Sequence, residues 1–196
     1  IVDEICDAFD ANAFHAGMDE VFYIGHEHCP RCSGKDKSAL FAGEVNKIRD
    51  HLAGKNRELW IWGDRLIDGE TTGMGMWHAS MNDTHRAIDM IRKDVFICDW
   101  HYTRADPTPV YFSTKGFRVA ACPFKKASTG VNHAKNMIIY YEHSKREMKD
   151  RYQGIIQTIW SGNARFLDEF YSEDYDPENS ESACFKETFK YISDQL

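Results

Sequence analysis

Two adjacent acids, Asp19 and Glu20, are the residues whose types and spacing point most directly to chemistry. Cleavage of a glycosidic bond calls for a carboxylic acid that protonates the leaving oxygen, and this dipeptide can supply a pair of carboxyl groups. Adjacent residues of a regular strand point to opposite faces, so both acids can meet one ligand only if the strand ends or bends at Met18. A solvated acidic pair at the start of a loop is the alternative interpretation.

A second group of reactive side chains lies in the loop that follows. It contains one Cys-X-X-Cys pair, Cys29 and Cys32, and two histidines, His26 and His28, which are all ligand types that zinc accepts. A structural zinc site usually has two separated ligand pairs, whereas these four residues are crowded together. The loop therefore has three interpretations, which are a zinc site, a redox pair, and a surface loop beside the active-site face.

The elements that must position these residues follow from the hydrophobic periodicity, because short apolar runs alternate with segments of helical spacing. The pattern predicts strands near 13–17, 59–62, 95–98, 117–122 and 154–159. It predicts helices near 36–52, from Asn82 or Asp83 to Arg92, at 130–150 and 163–171, and at the end of the chain. The long helix is expected to bury Val131, Ala134, Ile138 and Tyr141, and the last one Phe185, Phe189 and Ile192.

Strands that alternate with helices pair in parallel through right-handed crossovers, so we expect a single α/β domain over residues 1–196. Strands with apolar residues on both faces agree with a sheet covered on both sides. An eight-stranded (β/α) TIM-type barrel usually takes about 250 residues. The sequence therefore predicts either an open doubly wound sheet or a barrel that lacks some units.

Acids and aromatic residues collect where the predicted strands end. Besides Asp19 and Glu20, these positions hold Trp62, Asp64, Asp99, Trp100, His101, Tyr102 and Trp160. Ligands of parallel α/β proteins bind at that edge of the sheet. A pyranose has apolar faces that stack on aromatic rings and hydroxyl edges that bond to acids. This arrangement favours a sugar site.

The same positions resemble a known family. The segment with His15, Gly17, Asp19 and Glu20 resembles the His-X-Gly-Gly-Asp-Glu signature of family 20 glycoside hydrolases, the β-N-acetylhexosaminidases. The resemblance continues in order with 60–64, which is similar to the family's tryptophan-bearing fifth strand, and with 159–162, which is similar to its eighth-strand tryptophan motif. It covers nearly the whole chain, but only from the fourth barrel strand onward.

The resemblance implies substrate-assisted, retaining hydrolysis of terminal β-linked N-acetylhexosamine, with no cofactor. Glu20 would be the general acid and base, and Asp19 would orient the acetamido group. His15 would support them. The resemblance also implies substrate-binding residues around the sugar: Trp62, Asp64, Trp100, Tyr102 and Trp160. By resemblance alone, the protein would work outside the cytoplasm, and the missing N-terminal barrel half or a partner chain would complete the fold.

The sequence departs from the family pattern at several positions. Met18 replaces the second glycine of the signature, and Trp160 is not followed by the glutamate that often accompanies it. The strand near 117–122 lacks a Tyr-X-Asp pair, and the family's first-strand arginine has no counterpart. Two other functions therefore stay open, which are a catalytically inactive or carbohydrate-binding relative and a metal-dependent hydrolase built on His15, Asp19, His26 and His28.

The overall charge narrows the choice of partner. The 24 basic and 31 acidic residues give a net charge of −7, and no basic face is evident from the short, isolated basic runs. A partner bound through phosphates, such as nucleic acid or anionic lipid, is therefore not expected. No apolar run approaches the roughly 18 residues of a membrane span. A neutral amino-sugar glycoside is the predicted partner.

Overall fold

The computed structural model, which describes residues 1–172 and 174–195, has an α/β fold with one parallel sheet. Its strands are β1 (Ala13–His15), β2 (Glu58–Trp62), β3 (Phe96–Trp100), β4 (Arg118–Cys122) and β5 (Tyr152–Ile155). They lie in the sheet in sequence order, without the reversal of order that marks a doubly wound sheet. The predicted α/β class, the number of strands and their parallel pairing are confirmed.

The chain divides into two compact units, and the first comprises Ile1–Ile97. Its helices are α1 (Val2–Ala8), α2 (Lys37–Ala53), α3 (Gly69–Thr72) and α4 (Gly75–His78), with 3₁₀ turns at Asp64–Leu66 and Thr84–Asp89. Helix α2 begins where the Asp36 carboxylate accepts the Ala39 N–H at 2.7 Å. The helix buries Phe41, Val45 and Leu52, as its spacing predicts, and packs against β2.

The second unit comprises Cys98–Leu196. Its helices are α5 (Thr108–Thr114), α6 (Ala127–His143), α7 (Asn163–Tyr171) and α8 (Glu181–Ser193), with a 3₁₀ turn at Arg146–Arg151. The most extensive packing between helices joins α6 and α8. Small residues make this approach possible. A Cβ on Gly130 would lie 2.2 Å from the Thr188 hydroxyl and 2.7 Å from the Cys184 sulfur.

That close packing explains why the predicted inner faces of α6 and α8 were only partly right: Ala134 is buried as predicted, and Val131 and Ile138 are half-buried. Helix α6 buries His133, Ala134 and Met137, while Tyr141 is exposed. Helix α8 buries its small residues and leaves its aromatic residues half-buried, where Phe185 and Phe189 lie in contact with each other. Periodicity favours the large apolar side chains, whereas close helix contact selects the small ones.

One predicted element type and two predicted boundaries were also wrong. The segment after Asn82 forms a 3₁₀ turn instead of an α-helix, and it follows Asp83 in the left-handed conformation (φ +66°). Helix α6 ends at His143, just before Arg146 with φ +54°, instead of near 150. The last strand is Tyr152–Ile155 instead of 154–159. Within the described residues, no helix is both long and apolar enough to cross a membrane.

Candidate active site

The acidic pair lies on a bend directly after β1. The strand ends at His15, and Gly17, Met18 and Glu20 all have left-handed backbone conformations, with φ of +75°, +71° and +52°. The bend stays attached to β2, because the Trp62 N–H donates to the Gly17 carbonyl at 2.9 Å. The strict alternation of a strand therefore does not apply to the two acids. The sequence analysis requires that the strand end or bend at Met18 if both acids are to face one ligand, and the structure meets this requirement.

Glu20 is attached to a buried ion pair. Its backbone N–H donates to Asp64 Oδ2 at 3.1 Å, and the same oxygen accepts the Arg65 Nε–H at 2.6 Å. The side chains of Asp64 and Arg65 are each only 1% exposed. Arg65 also donates to the Met76 carbonyl at 2.6 Å and lies over the Phe22 ring at 5.0 Å. This pair therefore fixes the backbone that carries Glu20.

The surroundings of Glu20 favour its protonated form. Desolvation raises the pKa of the Glu20 carboxyl above its ordinary value, and the charges of Asp19 and Asp64 raise it further, while Arg65 acts in the opposite direction. We call Asp19, Glu20, Asp64 and Arg65 the acidic cluster, because they are joined by chain adjacency and by the hydrogen bonds of Asp64 and because their charges act on the Glu20 carboxyl. A carboxyl group with a raised pKa holds its proton closer to neutral pH, as a general acid requires.

The His15 side chain stabilises the bend by a hydrogen bond to its backbone. Its Nδ1 accepts the Gly17 N–H at 3.1 Å, so the proton of the neutral ring is on Nε2. The ring packs against Trp62 with centroids 4.4 Å apart. His15 Nε2 is buried and has no hydrogen-bond partner among the described residues. His15 and Trp62 thus form one wall beside the acidic cluster.

The second unit holds an aromatic group of its own. Trp160 is 59% exposed, and its indole N–H donates to the Tyr102 hydroxyl at 2.8 Å. The Tyr102 ring lies 5.0 Å from Trp100 and 5.0 Å from Phe124. The structure therefore brings together the three predicted residues of this unit and adds Phe124.

The residue that holds Trp160 in place was not predicted from the sequence. Glu181, at the start of α8, accepts the backbone N–H groups of Trp160 at 2.7 Å and Ser161 at 3.0 Å, and its other oxygen accepts the Ser161 hydroxyl. Glu181 is 5% exposed. A glutamate therefore contacts the segment that resembles the tryptophan motif, but it comes from the later helix α8 and not from the position after the tryptophan. It binds the backbone of the loop.

The other polar residues at the end of β3 are bound within the second unit. Asp99 Oδ2 accepts the Thr108 hydroxyl at 2.6 Å, and Asp99 Oδ1 lies 3.2 Å from His101 Nε2. The ring of His133 bonds to the His101 carbonyl at 2.8 Å, and burial lowers the pKa of His133. Asp99, His101 and His133 are all buried, so they are not accessible to a ligand.

The loop with His26, His28, Cys29 and Cys32 does not assemble a metal site. His26 Nδ1 accepts the His28 N–H at 3.3 Å, and Cys29 Sγ accepts the Cys32 N–H at 3.3 Å. The hydrogen bond from the Cys32 side chain lowers the pKa of the Cys29 thiol. In the part of the chain that the structure describes, no group of three or more His, Cys, Asp or Glu side chains is arranged to hold a metal ion. The ligand set proposed for a metal-dependent hydrolase, which adds His15 and Asp19, is not brought together.

Comparison with known proteins adds no family assignment: no family model matches the chain, and no curated protein matches it.

Proposed function

We propose that the protein is a glycoside hydrolase that releases terminal β-linked N-acetylhexosamine by substrate-assisted, retaining catalysis. The observation that carries the proposal is the bend after β1, which frees Asp19 and Glu20 from strand alternation and joins them to Asp64 and Arg65. Glu20 is exposed and Asp19 is half-buried, so both carboxyl groups can be reached by a ligand. A solvated acidic pair with no function would not need a buried ion pair bonded to the Glu20 backbone.

In the proposed reaction, Glu20 donates its proton to the glycosidic oxygen while the substrate's acetamido carbonyl attacks the anomeric carbon. The bond from that carbon to the glycosidic oxygen breaks, its electron pair stays on the oxygen, and the aglycone leaves as an alcohol. Glu20, now ionised, then takes a proton from water, whose oxygen attacks the anomeric carbon and opens the oxazolinium ring. Asp19 accepts the acetamido N–H and stabilises the positive charge of that ring.

The supporting residues of the first unit have distinct roles in this proposal. Trp62 is half-buried and packs on His15, so its ring offers an apolar wall to the acetamido methyl group. Asp64 is 2% exposed and bonded to Arg65 and to the Glu20 N–H. We therefore assign Asp64 a positioning role for Glu20 in place of the contact with a sugar hydroxyl that the resemblance implies.

We extend the proposal to the fold. The sequential order of the five strands is the order of consecutive units in a (β/α) barrel, and it supports their assignment as strands four to eight. The complete barrel would take three further strand–helix units from a longer chain or from a partner. The localisation outside the cytoplasm remains part of the same proposal.

A second candidate function, carbohydrate binding without catalysis, is favoured by one observation in the second unit. Trp160 exposes 59% of its surface while its indole N–H and backbone are both held by hydrogen bonds. A rigid, exposed indole ring is suited to stacking on a sugar face. We propose the same role, contact with the sugar, for the half-buried Tyr102. Trp100 is only 8% exposed, so we assign it the support of the Tyr102 ring in place of the sugar contact that the resemblance implies.

The test is hydrolysis of aryl N-acetyl-β-glucosaminide and N-acetyl-β-galactosaminide by the protein with its complete barrel and by the same protein with Glu20→Gln. We expect Glu20→Gln to lower kcat about 10²-fold or more, because the amide cannot donate and recover the proton. Glu27→Gln changes an exposed glutamate of the adjoining loop and should leave kcat unchanged. A Glu20→Gln rate within about threefold of the parent rate would overturn the assignment.

Binding separates the two candidate functions. A stable thiazoline analogue of the oxazolinium intermediate should bind, as followed by tryptophan fluorescence, and Asp19→Asn should weaken it about tenfold by removing a charge-assisted hydrogen bond. Binding of N-acetylglucosamine with neither turnover nor thiazoline binding would favour the carbohydrate-binding function over the hydrolase.

A further inference from the structure

A cavity of about 550 Å³ lies in the first unit next to the acidic cluster. Its lining comes from the segment after Glu20, from the ion pair and from the loop after β2: Phe22, Tyr23, Arg65, Met76, Met81 and Asn82. Phe22 follows Glu20 by two residues, and Arg65, which lies over the Phe22 ring, is paired with the Asp64 carboxylate that accepts the Glu20 N–H. The cavity is therefore connected to the proposed general acid through the chain and through the Asp64–Arg65 pair.

Large apolar side chains in and beside the cavity are exposed to solvent instead of being buried in the core. Met76 is 46% exposed and Met81 is 47% exposed, and the neighbouring Trp77 is 56% exposed with its ring edge-to-face with Phe22 at 5.4 Å. Methionine side chains are flexible and polarisable, and they adapt to apolar ligands of irregular shape. Large apolar side chains that are exposed next to one another mark a binding surface more often than single exposed apolar residues do.

The Asn82 amide lines the cavity, and it makes its hydrogen bonds within the protein. Both N–H groups of the Asn82 amide point to backbone carbonyls, of Val21 at 2.9 Å and of Phe22 at 3.0 Å. Its oxygen accepts the Ser80 hydroxyl at 2.9 Å. Both donors of the Asn82 amide are therefore used, and Asn82 has no N–H group left for a ligand.

We propose that this cavity holds the aglycone of the substrate, and that the preferred aglycone is an apolar group of about the size of an aromatic ring instead of a second sugar. The inference rests on the proposed function, because the aglycone must depart beside the acid that protonates its oxygen. The cavity volume lies within the range of about 300–1,000 Å³ that is usual for small-molecule sites. Phe22, Met76 and Met81 are the residues that set the preference.

The test compares N-acetyl-β-glucosaminides that differ only in aglycone: methyl, benzyl and a second N-acetylglucosamine. Methanol and benzyl alcohol have similar acidity, so a difference between the first two reports contact with the leaving group and not its chemical reactivity. We expect kcat/KM for the benzyl glycoside to exceed that for the methyl glycoside about tenfold, from burial of the phenyl ring. Met81→Ser should reduce that ratio about threefold, because it removes part of the apolar contact.

Met90→Ser is the matched control, since Met90 is a methionine of the same unit with 50% exposure that does not line the cavity. A second measurement follows the methionine methyl signals by NMR during titration with benzyl alcohol, where those of Met76 and Met81 should shift and that of Met90 should not. Met76→Ser repeats the test at an independent position of the lining.

The outcomes separate the two proposals. A benzyl preference that Met81→Ser reduces and Met90→Ser leaves intact supports the inference. Turnover without a benzyl preference, a preference for the disaccharide, or a preference that Met81→Ser and Met76→Ser do not change overturns the aglycone assignment while the hydrolase function stands. If no glycoside is hydrolysed, the hydrolase function fails and the aglycone assignment fails with it, even where benzyl alcohol shifts the methionine signals.

Discussion

Asp64→Asn is the substitution that tests most directly how the candidate active site is held together. The change keeps the size of the side chain and one oxygen acceptor but removes the negative charge, which leaves the Arg65 guanidinium buried without its counter-ion. The side chains of Asp64 and Arg65 are each 1% exposed and joined at 2.6 Å, so solvent and salt screen the pair only weakly. The loss of one partner from such a pair costs about 3–5 kcal/mol of unfolding free energy.

The measurement is urea unfolding followed by tryptophan fluorescence, with Arg65→Met and the double variant completing a thermodynamic cycle. We expect each single variant to lose several kcal/mol and the double variant to recover much of that loss, because no unpaired charge then remains buried. Glu44→Gln is the control, since the Glu44–Lys47 pair spans 3.0 Å with side chains 51% and 74% exposed. It should leave the urea midpoint unchanged.

A loss of less than about 1 kcal/mol for Asp64→Asn would refute the reasoning, since a solvated pair behaves in that way. A double variant whose loss equals the sum of the two single losses would also refute it, because the pair would then contribute nothing as a pair. In either case the claim that Asp64 and Arg65 fix the Glu20 backbone would have to be withdrawn.

Three further predictions concern single positions. Met18→Gly should raise the unfolding free energy by about 0.5 kcal/mol, since relief of the φ +71° strain exceeds the added chain entropy of glycine; urea unfolding measures it. Asp19→Asn should lower the pKa of the Glu20 carboxyl, because it removes a neighbouring negative charge, so that NMR finds Glu20 releasing its proton at lower pH than in the parent protein. Glu181→Gln should make Trp160 more accessible to acrylamide quenching, because the carboxylate holds the Trp160 backbone.

Each of these predictions has a matched control substitution. Met90→Gly places glycine where φ is −101°, so it should destabilise the first unit, and the same sign of effect at both methionines would contradict the strain argument. Glu27→Gln removes an exposed charge that is not among those acting on Glu20, so it should leave the pKa of the Glu20 carboxyl unchanged. Glu187→Gln alters an exposed glutamate of α8 and should not affect quenching of Trp160.

The sequence predicts the sheet well because its strands are buried on both faces. The β3 strand is buried at every position and β4 at four of five, and such runs stand out from the amphipathic helices between them. The same reasoning fails for α6 and α8, where Gly130 and Thr188 decide the contact. A glycine inside a long helix is the signal that was available, since it often marks close approach of another element.

The positions of Asp19 and Glu20 could be predicted from the sequence, whereas the buried partners Arg65 and Glu181 could not. Asp19 and Glu20 follow a strand directly, so their position at the edge of the sheet follows from topology. Arg65 was missed because arginine is usually exposed, and its burial depends on Asp64 and on the carbonyl of Met76. Glu181 was missed because it lies 21 residues from Trp160 in the chain, and no local pattern encodes that contact.

The net negative charge of the acidic cluster bears on both the proposed acid–base step and the proposed substrate. The cluster of Asp19, Glu20, Asp64 and Arg65 has a net charge of minus two when Glu20 is ionised and minus one when it is protonated. Since Arg65 is already paired with Asp64, the charge of Asp19 remains uncompensated and helps to keep the proton on Glu20. The same uncompensated charge disfavours an anionic substrate and favours a reaction in which positive charge develops beside Asp19. A neutral amino sugar whose acetamido group becomes a cation meets both requirements.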